Sequence, residues 1–269
     1  MVSYNNGEYF YTDSITVPIT NLGYDRSFGV FDFMRMENGR ILFIEDYLQR
    51  FMNSSKFLFG KSPYSKNEIT DILKTLIDLN KVNNSTFKLN LTGEIINGEM
   101  KPHLVILNRP YEAYPKEKFE KGSRLIAEEY VRENSQYKTL NYLVSFKNYN
   151  RLQKADAIDV LFHTEDKISE ASRSNVFMIK DKKIYTTDND LLHGITRKVV
   201  LRTFKNNLKV EIKPIKYSEI LKADEVFITS TLKKVLPIVR IEHKVIGNGR
   251  VGEVTKLAMA RFKEICDNY

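Results

Sequence analysis

The chain has 269 residues, 42% of them hydrophobic, which is enough for one large or two modest domains, and no apolar run approaches the roughly 20 residues of a membrane span. Its net charge of +8 comes from lysines scattered through every segment, without an RNA-binding motif, so a basic nucleic-acid-binding protein is only a remote alternative. The single cysteine excludes an internal disulfide framework and leads us to expect a cytoplasmic protein. The four histidines do not stand at the spacing of metal ligands, so we expect no metal site.

The first part of the chain mixes helix and strand patterns. The stretch "ILFIEDYLQRFMNSSKFL" passes from a short apolar run into a helix with apolar positions at helical spacing. Ser65 and Glu68 form a capping box before a second helix. Next, "TFKLNLT" alternates as a strand does, which turns Phe87 and its apolar neighbours one way and Lys88 the other, and "HLVILN" is predicted as the adjacent strand.

The segment "NRPYEAYPKEKFEKG" carries two prolines and a charge run, which is typical of a linker. Beyond it the patterns predict a strand, a turn containing Lys138, a helix to about residue 152, further strands at "IDVLFH", "NVFMIK", "KIYTT", "VEIKPI" and "EVFITS", and helices from Thr196 and from about Glu253. We therefore predict an α/β fold, α+β in each half, with a small N-terminal domain over residues 1–115, a linker over 116–122 and a larger domain over 123–269.

Five features could carry chemistry, and each also has an ordinary structural interpretation. Lys138 in "YKTLNYL" could be one more surface lysine. Glu170 in "ISEASRSNVF" could be an exposed turn residue. "GITRKVV", with Gly194, Ile195 and Thr196 at a helix start, suits a phosphate or could be a glycine turn with a threonine cap. The hydroxyls of "ITSTL", Ser230 and Thr231, could cap a helix, and Arg50 could be solvated.

Taken together and in this order, these stretches resemble the class IV, or fold-type IV, pyridoxal-phosphate enzymes. That family contains branched-chain and D-amino-acid aminotransferases and aminodeoxychorismate lyase. The resemblance extends upstream to "FGVFDFMRMENGRILFIEDYLQR" and covers nearly the whole chain. It implies a two-domain fold, a pyridoxal phosphate cofactor and a homodimer.

The resemblance also implies a role for each of these residues. Lys138 would form a Schiff base with the cofactor and move a proton at the substrate carbon, whereas Lys147 and Lys154, which lie close downstream, lack the family pattern. Glu170 would face the pyridine nitrogen. The phosphate would be held by the remaining motif residues: Arg50, Gly194, the Ile195 and Thr196 amides, Ser230 and Thr231. Asn141 and Tyr142 would brace the ring oxygen.

The substrate is less well defined, because three ways in which relatives hold a carboxylate are missing. The chain has no Y-x-R element on "TFKLNLT", no arginine in "TGEIINGEMKPH" and no R-G-x-G-G-R-G loop. Arg173, in the loop after Glu170, is the first replacement candidate, since a guanidinium can bind a carboxylate through two hydrogen bonds. Lys88 and Arg35 follow, although Lys88 could instead face solvent, and Phe31 is expected to line the substrate site.

We expect an aminotransferase that moves an amino group between an amino acid and a 2-oxo acid. The alternative is a lyase of the aminodeoxychorismate type that releases pyruvate, because the K-x-L-N turn suits both.

Overall fold

The computed structural model describes residues 1–204 and 210–269, which form two compact units. The first unit comprises Met1–Glu112 together with Tyr137–Asn141, and the second comprises Ala113–Gln136 together with Tyr142–Tyr269. The segment that contains Lys138 therefore packs with the first unit, although the chain order placed it in the second half. The domain boundaries drawn from the sequence stay a prediction.

The first unit is built on an antiparallel sheet, six-stranded among the described residues, in the order β2-β1-β6-β5-β3-β4. Its elements are β1 Val2–Asn5, β2 Glu8–Tyr11, α1 Leu22–Arg26, β3 Gly29–Glu37, β4 Arg40–Ile41, α2 Ile44–Phe59, α3 Lys66–Asn80, β5 Ser85–Ile96 and β6 Glu99–Pro110.

The two faces of this sheet differ as the alternation of β5 predicts. Phe87, Leu89 and Leu91 are fully buried. One face of the sheet therefore belongs to the core of the unit, and the other carries its polar residues.

The predicted capping box of α3 is confirmed, since the Glu68 amide donates to the Ser65 hydroxyl at 3.2 Å and the Ser65 amide donates to the Glu68 carboxylate at 2.6 Å.

The second unit contains a mixed sheet, nine-stranded among the described residues, in the order β12-β11-β10-β13-β14-β7-β8-β9 with β15 beside β14. Its elements are α4 Lys116–Lys121, β7 Ser123–Glu129, α5 Leu143–Lys147, α6 Tyr149–Ala155, β8 Ala157–Thr164, β9 Lys167–Ala171, β10 Asn175–Lys180, β11 Lys183–Thr186, α7 Ile195–Phe204, β12 Val210–Ile212, α8 Tyr217–Ile220, β13 Glu225–Ser230, β14 Lys234–Ile241, β15 Lys244–Val245 and α9 Glu253–Asp267.

Strands and helices intermix in both units, as predicted, and the segment predicted to be a linker contains the helix α4. One local prediction is wrong. The single helix expected to reach residue 152 is divided into α5 and α6 at Asn148, a buried residue whose side-chain amide donates to the Val144 carbonyl at 3.0 Å. An asparagine that competes for backbone groups in this way ends a helix readily.

Within the described parts of the chain, none of the helices has both the length and the apolar character that crossing a bilayer requires.

Candidate active site

Lys138 is held against strand β3 of the first unit by backbone hydrogen bonds on both sides. The Phe31 amide donates to the Lys138 carbonyl at 2.8 Å, the Leu140 amide donates to the Gly29 carbonyl at 3.0 Å, and the Lys138 amide donates to the Ser54 hydroxyl at 3.2 Å. The side chain is half-buried, with Nζ 4.5 Å from the centroid of the Phe31 ring. Its position is therefore fixed by the fold, unlike that of a surface lysine.

The Phe31 ring carries a second cation. Lys88 Nζ lies 5.0 Å from the same centroid, and the strand register places Phe33 of β3 opposite Lys88 of β5. Burial, the charge of Arg109 and the charge of Lys138 all lower the pKa of Lys88. Lys88 is half-buried and therefore not fully solvated, and its orientation toward the substrate stays a prediction.

Arg35 lies on the same face of the sheet, but its charge is already compensated. The side chain is 3% exposed, its Nε lies 3.4 Å from the Glu37 carboxylate, and its guanidinium lies 5.9 Å from the centroid of the Tyr111 ring. Lys88 makes no comparable ion pair within the described residues.

Arg50 is not the solvated arginine that its helix position also allowed. It pairs with Asp32 through two hydrogen bonds, from Nε to Oδ2 at 2.9 Å and from Nη2 to Oδ1 at 2.6 Å. The Asp32 side chain is fully buried. This pairing fixes the guanidinium relative to β3, since both hydrogen bonds define its plane.

In the second unit, Glu170 lies in strand β9 and is 3% exposed, so the alternative of an exposed turn residue is wrong. Its Oε1 accepts two hydrogen bonds from Arg132, one of them from Nε at 3.0 Å, and its Oε2 accepts one from the Leu192 amide at 3.0 Å. Burial disfavours the charge of Arg132, but Glu170 and Tyr142 more than offset it and raise the pKa of Arg132. Glu170 is thus a buried carboxylate with a dedicated cation.

The Leu192–Gly194 loop connects Glu170 to the helix start that suits a phosphate. Asn175 donates to the Leu192 carbonyl at 2.8 Å and accepts from the Gly194 amide at 3.2 Å, and a Cβ at Gly194 would collide with the Asn175 amide oxygen. Helix α7 begins at Ile195, so Thr196 lies inside the first turn rather than capping it. The first amides of a helix have no intrahelical acceptor, and they lie at the positive end of the helix dipole.

The remaining predicted cofactor residues occupy chain turns. Ser230 ends strand β13, and Thr231 follows it in the turn before β14; both are half-buried. Asn141 is the last residue of the first unit's second segment, and Tyr142 directly precedes α5.

Arg173 occupies the tip of a tight turn between β9 and β10. The backbone amides of Ala171 and Ser174 donate to each other's carbonyls at 2.7 and 3.1 Å. The Arg173 side chain is exposed and lines a cavity of about 220 Å³ within the second unit, together with Tyr114, Phe146 and Tyr149. A cation beside three aromatic rings suits a small anion with an apolar body.

Comparison with known proteins identifies the family. The family model for amino-transferase class IV matches residues 29–241. The chain belongs to the class IV aminotransferase family.

Individual relatives agree with this assignment. D-alanine aminotransferase of Listeria monocytogenes serotype 1/2a (strain 10403S) is 29% identical over 266 residues, which are 94% of this chain and 91% of that protein. D-alanine aminotransferase of Staphylococcus aureus (strain N315) is 25% identical over 276 residues, which are 98% of this chain and 97% of that protein.

Solved structures confirm the fold-type IV fold. The branched-chain amino acid aminotransferase of Thermobaculum terrenum, solved in its PLP form, superposes with a TM-score of 0.87 at 21% identity over 99% of this chain and 94% of that one. The Escherichia coli branched-chain amino acid aminotransferase superposes with a TM-score of 0.91 at 20% identity, covering 98% of this chain and 94% of that one.

The class IV family uses pyridoxal phosphate, and residues of this chain fit that group. A half-buried amine, a buried carboxylate and free helix amides are the donors and acceptors that an aldehyde, a pyridine nitrogen and a phosphate need. Arg132 adds a buried Nη1 that has no acceptor among the described residues. The sequence-based prediction missed Arg132 and Asn175, although Arg132 precedes Lys138 in the same loop and Asn175 stands in the quoted "SEASRSNVF".

The protein is thus a pyridoxal-phosphate-dependent transaminase, as predicted. The relatives quoted above are named aminotransferases, and nothing in them favours the lyase alternative.

Proposed function

We propose that Lys138 binds pyridoxal phosphate covalently and moves the proton at the substrate carbon during transamination. The observation that carries this proposal is the fixed, half-buried position of Lys138 on the Phe31 ring, since Lys147 and Lys154 are both exposed. When bound, the cofactor supplies the electron sink that this proton transfer needs. A lysine whose backbone amide and carbonyl are both hydrogen-bonded returns to the same place in every turnover, which a mobile surface residue would not.

Glu170 is proposed to keep the pyridine nitrogen protonated. Its carboxylate is buried, and Arg132 provides the counter-charge that stabilises the ionised form in that environment. Asn141 and Tyr142 are proposed to brace the ring oxygen, because they follow Lys138 in the turn that carries the family pattern.

The phosphate is proposed to be bound by Arg50, by the amides of Ile195 and Thr196, and by the hydroxyls of Ser230 and Thr231. Gly194 contributes by its lack of a side chain, because the loop path that presents these amides brings Gly194 against Asn175. Asp32 orients Arg50 through two hydrogen bonds, so the guanidinium is pre-positioned before a phosphate arrives.

Substrate carboxylates are proposed to bind two cations. Lys88 shares the Phe31 ring with Lys138, which supports a role in holding the carboxylate next to the reacting carbon. Arg173 has a cavity of its own and makes no direct ion pair with a carboxylate among the described residues, which supports binding of the second carboxylate of a dicarboxylic 2-oxo acid. Phe31 lines the site, and Arg35 supports this face through Glu37.

We also propose a homodimer. Leu143, Phe146 and Tyr149 are 76%, 70% and 57% exposed along α5 and α6, an apolar surface of the kind that subunit contacts cover. Light scattering coupled to size-exclusion chromatography measures the mass directly.

The single buried cysteine agrees with our proposal of a cytoplasmic enzyme.

A two-substrate assay tests the function. The purified enzyme with pyridoxal phosphate should convert 2-oxoglutarate to glutamate when given an amino donor, and D-alanine is the first donor to test because the quoted relatives carry that name. L-leucine is the matched donor for the branched-chain alternative. Pyruvate release without any added 2-oxo acid would instead indicate the lyase reaction.

A further inference from the structure

A buried charged cluster lies beside the turn that carries Arg173. The side chains of Asp159 and Lys233 are 0% and 3% exposed, and Nζ donates to Oδ2 at 2.5 Å. The Ser172 hydroxyl donates to Oδ1 at 2.6 Å and the Ser174 hydroxyl donates to Oδ2 at 2.8 Å. Both serines that flank Arg173 in the turn are thus anchored to one carboxylate.

The same carboxylate lies within electrostatic reach of Arg173. Burial opposes ionisation of Asp159, but Lys233, Arg173 and the hydrogen bonds outweigh it and lower the pKa of Asp159. Burial and the charge of Arg173 lower the pKa of Lys233, but its direct hydrogen-bonded contact with the Asp159 carboxylate favours the charged amine. The cluster then contains one carboxylate and two cations, a net charge of +1. Lys233 takes the direct contact with Asp159, so the charge left uncompensated is that of Arg173 at the cavity.

Without Lys233, Asp159 would have no direct cationic partner. Leaving a buried carboxylate unpaired is costly, and a guanidinium forms strong paired hydrogen bonds with a carboxylate. Arg173 is the next cation acting on Asp159. It would turn toward Asp159 and leave the cavity that Tyr114, Phe146 and Tyr149 line.

We infer that Lys233 is a positioning residue, which by pairing with Asp159 keeps the guanidinium of Arg173 available for a substrate carboxylate. This inference rests on the carboxylate-binding role proposed above for Arg173. It assigns no contact between Lys233 and the substrate.

The test compares four forms of the cofactor-loaded enzyme: wild type, Arg173→Ala, Lys233→Met and the double variant Asp159→Asn with Lys233→Met. Isothermal calorimetry measures the dissociation constant of glutarate, a dicarboxylate with neither an amino nor an oxo group. Arg173→Ala and Lys233→Met should each weaken binding at least about tenfold. The double variant, in which the competing carboxylate is neutral, should recover to within about threefold of wild type. The KM for 2-oxoglutarate should follow the same order while kcat changes little.

The outcomes separate the two proposals. If Arg173→Ala binds glutarate as wild type does, the carboxylate role of Arg173 fails. If Arg173→Ala is weak but Lys233→Met binds normally, only the role of Lys233 fails. If Lys233→Met does not fold, as judged by thermal unfolding, the double variant decides: near-wild-type affinity supports the inference, and a tenfold loss overturns it.

Discussion

Replacing Glu170 with glutamine tests whether this carboxylate acts electronically. The carboxylate accepts on both oxygens, from Arg132 at Oε1 and from the Leu192 amide at Oε2. A glutamine side chain has one acceptor oxygen, so its NH₂ group must face one of these donors. Loss of that hydrogen bond at a buried position costs about 1–3 kcal/mol.

The larger effect is expected on the reaction. A neutral amide cannot hold a proton on the pyridine nitrogen, and loss of one preorganised charge lowers kcat by at least ~10²-fold, or about 2.7 kcal/mol of activation free energy. Cofactor affinity should be mostly kept, because the proposed phosphate contacts remain.

Steady-state kinetics at saturating cofactor and substrates measure kcat, and fluorescence titration measures cofactor affinity. Glu165→Gln is the matched control, since Glu165 is an exposed carboxylate in the turn between β8 and β9. A Glu170→Gln enzyme with kcat within about threefold of wild type would refute the electronic role.

Two further predictions concern the substrate and the phosphate. Lys88→Met should raise KM for the 2-oxo acid at least about tenfold with little change in kcat. Because burial and two neighbouring cations lower the pKa of Lys88, its charge is lost at a lower pH than that of an ordinary lysine, so KM should rise as pH increases through that pKa. The Lys88→Arg variant stays charged, so its KM should not change with pH. If its KM rises with pH as the wild-type KM does, the titrating group is not Lys88. Gly194→Ala should weaken cofactor binding at least about tenfold in a cofactor titration, because the added Cβ collides with Asn175; unchanged affinity would show that the loop tolerates another path.

Local patterns in the sequence predicted much of the fold. The alternation of β5 and the capping box of α3 depend on neighbouring residues, and both agree with the structure. Periodicity over a longer span failed at Asn148, where one buried side chain competes with helical hydrogen bonding and divides the predicted helix.

The site was less predictable because its partners are distant in the chain. The spacing of 38 residues between Arg132 and Glu170, and of 74 between Asp159 and Lys233, leaves no periodic signal. The family pattern marks Lys138 and Glu170, but which cations remain unpaired depends on tertiary contacts. Arg35 could be distinguished from Lys88 only once its ion pair with Glu37 was visible.

The central claim is that Lys138 carries the cofactor. Borohydride reduction of the cofactor-loaded enzyme, followed by proteolysis and mass spectrometry, locates the attachment directly. The added mass should lie on the peptide that contains Lys138, and Lys138→Ala should lose both the label and turnover while keeping its circular dichroism spectrum. Recovery of the label on Lys88, Lys147 or Lys154 would contradict the account.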